Sequence, residues 1–162
     1  MSIFAFIDGI QGQVSDPSFR NWIDIARIKW NVKRQITSAS ATQNDRESSN
    51  AVMGDLTITR FMDKATPKLF IESCCGTGKE IKIVTTKTGA GNGADPYMEY
   101  VLGHAVISSY HVLALGNNAV RPHETLTISF TSLQSKYIPY DENGISQAPI
   151  AVGFDTATNS KI

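Results

Sequence analysis

The residues of this chain that are able to do chemistry are few, and each group can be tested against the spacing its chemistry needs. Gly76-Thr77-Gly78-Lys79 has the composition of a phosphate-binding loop. That motif needs a glycine five residues before its second glycine, Ser or Thr after the lysine, and a strand leading into a helix. Here the two positions hold Ser73 and Glu80, and the order is helix then strand, so the segment reads as a helix stop and a turn. The histidines are His104, His111 and His123. An odd spacing puts the nearest pair on opposite faces of a strand unless a bulge intervenes, and no Cys/His spacing matches a metal site. Ser108-Ser109 beside His111 offers a nucleophile and a base. The chain has no nucleophile elbow and no HExxH pair, so serines on a strand surface account for the residues as they stand. Asp24, Asp55 and Glu99 are scattered and form no readable pair. Cys74 and Cys75 are adjacent, with alpha carbons closer than disulfide geometry prefers. Two reduced thiols are expected, at least one packed as a small apolar side chain, with a bridge between subunits as the alternative. No catalytic residue, metal or cofactor is expected, and the residues point to a β-rich binding or structural protein, not an enzyme.

Period-two alternation of β-branched and aromatic residues dominates the chain. Ile3–Asp8 reads as a short strand and 9–21 as a polar loop. Trp22–Arg34 reads as a long strand with Ala26, Ile28, Trp30 and Val32 on one face. Ile36–Ser49 has no periodicity and reads as a long exposed loop, of a length that is usually functional or disordered. Ala51–Phe61 and Glu80–Thr88 return to strand. Tyr97–Leu115 exceeds an ordinary strand and is expected to bend near Gly103. Glu124–Tyr140 is a second long strand, and Ala151–Asp155 a short last one. The single helix follows Asp63-Lys64-Ala65-Thr66-Pro67-Lys68-Leu69, with Thr66 as cap, Pro67 in the first turn and Gly76 as a left-handed stop. About seven strands and one short helix, joined mostly in sequence, predict an antiparallel β-barrel of two sheets or a sandwich. Nothing in 1–162 suggests a boundary, so a single domain is expected.

With 15 basic and 15 acidic residues the formal charge is zero, and no basic tract suggests a nucleic-acid partner. Lys29, Lys33 and Arg34 read as a solvated strand face. Charged residues make up only 19%, which fits either a surface covered by partners or one rich in Ser, Thr and Asn. The N-terminus lacks the pattern of a secretory signal peptide and no run is long enough to span a membrane. The expectation is folding in the cytoplasm, no membrane insertion, and any export by another route.

Five segments taken together resemble the hemolysin-coregulated protein (Hcp) family of type VI secretion systems. Ile7-Asp8-Gly9-Ile10-Gln11-Gly12, Ser15-Asp16 and Trp22-Ile23-Asp24-Ile25 resemble the family opening, with a departure at Gln13-Val14, where an acidic residue and a serine are common. Asp55–Leu69 resembles its strand–DKxTPxL–helix unit. His104–Tyr110 is similar to its strand ending in V-S-S, Arg121–Phe130 to a further strand, and Tyr137-Ile138-Pro139 with Gly153-Phe154 to its close.

The resemblance implies a β-barrel of two sheets with one helix alongside, a homo-hexamer closed into a ring, and rings stacked into a tube. It implies a spike protein, a contractile sheath and effector proteins as partners, and secretion through the type VI apparatus without a signal peptide. It also implies two candidate sites. In 36–49, Gln43, Asn44, Asp45 and Arg46 would make polar contacts with the next ring, the alternative being a loop without a partner. In the loop Leu113–Ala119, Leu113, Leu115, Asn117 and Asn118 would line the lumen, although Leu113 and Leu115 read equally as core residues at a strand end. The competing function is a monomeric β-barrel ligand-binding module.

Overall fold

In the computed structural model the described residues are all but 39–45, 49, 90 and 118–119, with the backbone alone at 37–38 and 46–48. The chain opens with β1 (Ser2–Ile7), which pairs antiparallel with β2 (Ile23–Ile25) on one side and with β9 (Lys79–Thr88) on the other. Beyond Ala26 the chain continues as β3 (Arg27–Lys29), which pairs with β8 (Leu56–Phe61). β8 pairs with β11 (His123–Ser129), and β11 with the second half of the twenty-residue strand β10 (Ala94–Leu113). The first half of β10 pairs with β9. Followed from strand to strand, with the chain itself joining β2 to β3, the path returns to β1, an antiparallel barrel of two sheets. Ala26 is one corner, where the chain leaves one sheet for the other and donates its N–H to Thr59 O at 2.9 Å.

The other corner lies at Gly103, as the internal glycine suggests. Pairing between β9 and β10 slips there, between Leu102 and Ala105. The left-handed backbone that makes the bend belongs to the next residue, His104, with φ 48°. Opposite it, β12 (Ser132–Tyr137) prolongs β11 after an interruption at Phe130-Thr131, and Thr131 N–H donates to Gly103 O at 3.1 Å. The long strand expected over Glu124–Tyr140 is therefore present in two pieces. β12 carries a wing that leaves the barrel: β13 (Ile150–Asp155) and then β14 (Ser160–Lys161), a strand the alternation gave no sign of.

The core fills the barrel with Ile7, Ile23, Leu56, Ile58, Leu69, Ile81, Ile83, Leu102, Leu126, Ile128 and their neighbours. A smaller cluster of Phe4, Phe19 and Val84 lies under the loop that follows β1. Trp22–Arg34 is three pieces, not one strand: β2, β3 and the two-residue β4 (Val32–Lys33). Ile23 and Ile25 are buried, Ala26 is exposed, and partial burial resumes at Ile28 and Trp30. The alternation changes parity at the corner, so the face drawn from Ala26 to Val32 holds only for Ile28 and Trp30. The loop expected over Ile36–Ser49 is corrected at its two ends, where β5 (Ile36–Ser38) pairs antiparallel with β6 (Arg46–Ser48), and 39–45 and 49 lie outside the described residues. β4 pairs with β7 (Val52–Met53), so an arm of paired strands extends from β3 and β8.

The helix α1 (Thr66–Cys75) occupies the expected place, with Pro67 in its first turn and Leu69 buried. Its ends differ from expectation. Ala65, not Thr66, is the N-cap, and no side chain caps the helix there. Gly76 is extended (φ −68°, ψ 153°), not left-handed, and its N–H donates to Glu72 O at 2.8 Å. Neither cysteine is packed as a small apolar side chain: both are free and exposed at the end of the helix.

A buried polar network and the candidate assembly surfaces

The alternation that buries Leu56 and Ile58 on β8 also points Arg60 inward, and the register places Glu124 of β11 opposite it. Both are closed off from water, with Arg60 1% and Glu124 0% exposed. Arg60 Nη1 donates to Glu124 Oε1, and Arg60 Nη2 pairs with Asp63 Oδ1 at 2.6 Å. The Nη2–Asp63 contact is an ion pair without hydrogen-bond alignment. Arg60 Nε donates to Asp24 O at 3.3 Å. Tyr110 on β10 donates its hydroxyl to Glu124 Oε2, and Thr66 Oγ1 donates to Glu124 Oε1 at 3.2 Å. Thr66 Oγ1 in turn accepts Asp63 N–H at 3.1 Å, and Asp63 Oδ1 accepts Ala65 N–H at 2.8 Å. The hydroxyl expected to cap the helix is thus spent tying the helix to the barrel. Burial first, then the hydrogen bond and charge of Glu124, push the Tyr110 phenol well above its ordinary range, so it remains a donor. Burial is also the main cause that raises the Asp24 carboxyl, partly offset by the Arg60 guanidinium.

This network offers no reactive group. Its carboxylates are neutralised by donors in place, and α1 closes over them. It joins β8, β10, β11 and the start of α1, and it fixes which way the helix docks. Arg60, Glu124 and Tyr110 stand in three separate strands, so no local pattern could have marked them. A signal was present in the DKxTPxL unit, whose Asp63 and Thr66 both belong to the network.

The other chemical groups are accounted for locally. Lys79 of the Gly-Thr-Gly-Lys segment pairs with Glu72 at 3.3 Å. Ser108 donates to Thr127 O at 3.1 Å and to Asp55 Oδ2 at 3.3 Å. The register of β10 against β11 shifts between Ile107 and Ser109, the bulge that the histidine spacing left open. Among the described residues no group of three or more His, Cys, Asp or Glu could hold a metal ion.

Of the residues expected at the stacking site, Gln43, Asn44 and Asp45 lie outside the described residues. The backbone of Arg46 begins β6 opposite Ser38. At the expected lumen loop, Leu113 ends β10, and Leu113, Leu115 and Asn117 are all exposed, so the two leucines are not core residues. Asn118 lies outside the described residues.

Two further exposed surfaces were not anticipated. On β13, Ile150 is 66% and Val152 55% exposed. Along the arm, Val32, Ile36 and Val52 are exposed.

Residues 4–137 match the family described as "Type VI secretion system effector, Hcp". The chain belongs to the Hcp family. It is 25% identical to protein hcp1 of Pseudomonas aeruginosa over 98% of this chain and 97% of that one. A solved structure of a type six secretion system protein superposes with a TM-score of 0.89 at 24% identity, covering 99% of both chains. Hcp1 from Salmonella typhimurium gives 0.76 at 22% identity, over 99% of this chain and 98% of that one. These likenesses show the same fold, an antiparallel β-barrel of two sheets with one short helix. Among the described residues no helix is long and apolar enough to cross a membrane.

The Hcp-like opening has a physical reason here. Gly12 N–H donates to Asn21 O at 2.8 Å, and a Cβ on Gly12 would stand 2.6 Å from Ile23 Cα. Only glycine lets the loop lie that close to β2. Asp16 accepts Ser18 N–H at 2.9 Å and Ala94 N–H at 2.8 Å, tying the loop to the start of β10. Val14, the departure from the family pattern, packs against the Phe4–Phe19–Val84 cluster, and its N–H donates to Trp22 O at 3.2 Å.

Proposed function

We propose that this Hcp-family chain is a structural subunit of the type VI inner tube. Six copies close into a ring, rings stack head to tail, and the tube leaves the cell with its spike under the contraction of the sheath. The chain works by assembly, not by catalysis. The observation that carries this reading is the family match joined to exposed apolar strand surfaces at Ile150, Val152 and Val52, on a chain whose buried Arg60 and Glu124 are engaged in holding the fold. Exposed apolar strand surfaces of that kind mark interaction sites. Gln43, Asn44, Asp45 and Arg46 are proposed to contact the next ring. Leu113, Leu115, Asn117 and Asn118 are proposed to face the lumen, where the two leucines would offer apolar contacts to effector proteins. A ligand-binding barrel would need room inside, and here the barrel is filled by its own isoleucines and leucines.

Native mass spectrometry of the purified protein tests the reading. The chain has a mass of 17.7 kDa, so a closed hexamer weighs about 106 kDa. A dominant species at that mass is expected. A monomer at every concentration overturns the tube reading.

A further inference from the structure

Two asparagines in this chain are followed by glycine, Asn92 and Asn143, and both stand exposed on turns. Such a pair can react within itself. The glycine nitrogen attacks the asparagine Cγ, a new C–N bond closes a cyclic imide, and the side-chain nitrogen leaves as ammonia. Water then opens the imide at either carbonyl, leaving aspartate or isoaspartate. Glycine favours the step because it has no Cβ to shield its nitrogen. Two conditions remain. The glycine N–H must be free, and the asparagine must be able to turn its Cγ onto that nitrogen. The fold treats the two pairs differently on both counts.

At Asn143 the turn is clamped. Gly144, with φ 78°, donates its N–H to Asp141 O at 3.0 Å. Asp141 Oδ1 accepts Asn143 N–H at 2.9 Å and Ile145 N–H at 2.8 Å, and Asp141 N–H donates to Ile145 O at 3.0 Å. The attacking nitrogen is spent, and the backbone on both sides of it is held. Asn92 lies in the connection between Thr88 and Ala94, which pair across β9 and β10. Among the described residues the Gly93 N–H has no acceptor. Asp16 lies against Gly93, but its two oxygens hold Ser18 N–H at 2.9 Å and Ala94 N–H at 2.8 Å. We infer that Asn92 is a site of spontaneous deamidation in the folded protein, and that the Asp141 clamp protects Asn143 from the same reaction. The acid formed at 92 adds a negative charge next to Gly93, against which the Asp16 carboxylate already lies. Asp16 ties the loop after β1 to the start of β10, so the modification sets like charges at that tie.

Peptide mass spectrometry tests the inference on the intact wild-type protein, incubated folded and, in parallel, unfolded in guanidinium chloride. Tryptic cleavage at Lys136 puts the two asparagines in different peptides, and fragmentation distinguishes them from Asn117, Asn118 and Asn159. The unfolded chain gives each pair its unhindered rate. In the folded protein Asn92 is expected to stay within about threefold of that rate, less than one net hydrogen bond would cost it. Asn143, whose turn must first open, is expected to run at least about tenfold below its own unfolded rate. A folded Asn92 slowed as much as Asn143 overturns the inference, and so does a folded Asn143 that keeps its unfolded rate. Asp141→Ala removes the carboxylate of the clamp, with circular dichroism as the check of folding. It should raise the folded rate at Asn143 at least about threefold. An unchanged rate there overturns the role given to Asp141.

Discussion

The Arg60–Glu124 pair yields the sharpest test of how this fold is held. Glu124→Leu removes the acceptor of three donors at once: Arg60, Thr66 and Tyr110. Tyr110 is only partly buried and can turn its hydroxyl toward water. Arg60 cannot, since it is 1% exposed and keeps only Asp63 and the Asp24 carbonyl. Breaking a buried pair on one side costs about 3–5 kcal/mol, a large share of the roughly 5–15 kcal/mol that holds a domain together. With a urea slope of about 2 kcal/mol/M, the midpoint should fall by roughly 1.5–2.5 M. Arg60→Met/Glu124→Leu removes both charges and refills the space with apolar volume. Asp63 still accepts Ala65 N–H, so the double variant should recover at least half of the loss. Urea unfolding followed by tryptophan fluorescence, at protein concentrations varied tenfold, separates chain stability from assembly. The reasoning is refuted if Glu124→Leu costs under about 1 kcal/mol, or if the two substitutions add instead of compensating.

Gly12→Ala should lower stability by about 1–3 kcal/mol, since the new methyl meets backbone that cannot yield; a melting point unchanged within about 2 °C would contradict it. His104→Gly should stabilise by about 0.5–1 kcal/mol, the relief of a left-handed non-glycine residue less the entropy glycine adds to the unfolded chain; a lower urea midpoint would show that His104 makes a contact worth more than its strain. For Asp24 the folded carboxyl lies above its ordinary value of 3.8, so the folded state holds a proton the unfolded chain has already released. Stability should therefore fall as pH rises from 3.8 through the folded value and then level off, and Asp24→Asn should flatten that slope; unfolding curves from pH 3.5 to 6 measure it. Cys74 and Cys75 should both react with a soluble disulfide reagent in the native protein, and Cys74→Ala/Cys75→Ala should shift stability by less than about 0.5 kcal/mol; thiol titration with and without urea decides it.

The parts of the fold legible in the sequence are those whose signal is local. Alternation revealed β1, β8, β9 and β10, and Pro67 with Leu69 located the helix. What stayed hidden depends on partners distant in sequence. Ala26 looks like one more residue of a strand until Thr59 takes its N–H and turns the chain into the second sheet. Thr66 looks like a cap until Glu124, 58 residues away, accepts its hydroxyl. Residues 36–38 and 46–48 show no periodicity in the sequence, yet their backbones pair, and nothing in an alternation pattern marks a pairing that buries no face in the core. The cysteines misled for the converse reason: free cysteine is commonly buried, but α1 turns only Leu69 fully into the core.

The placing of polar and apolar groups in this Hcp-family chain runs against the usual arrangement, and the inversion bears on its role. Arginine and glutamate stand in the interior, where desolvation makes them expensive, while isoleucine and valine stand on a sheet edge in water. Apolar packing alone would hold α1 against the barrel without deciding its orientation. The Arg60–Glu124–Thr66 contacts tie the first turn of α1 to two strands of one sheet, and Tyr110 adds a third. Under the ring assembly proposed above that expense makes sense, since an angular error at each contact of a ring accumulates around it. The exposed wing is the complement of that rigidity. Val152 stands in register with Ser135, Tyr100 and the buried Ile83, so in the proposed ring a copy docked there would extend a sheet already set by the barrel, and the geometry of the joint would be inherited from the fold.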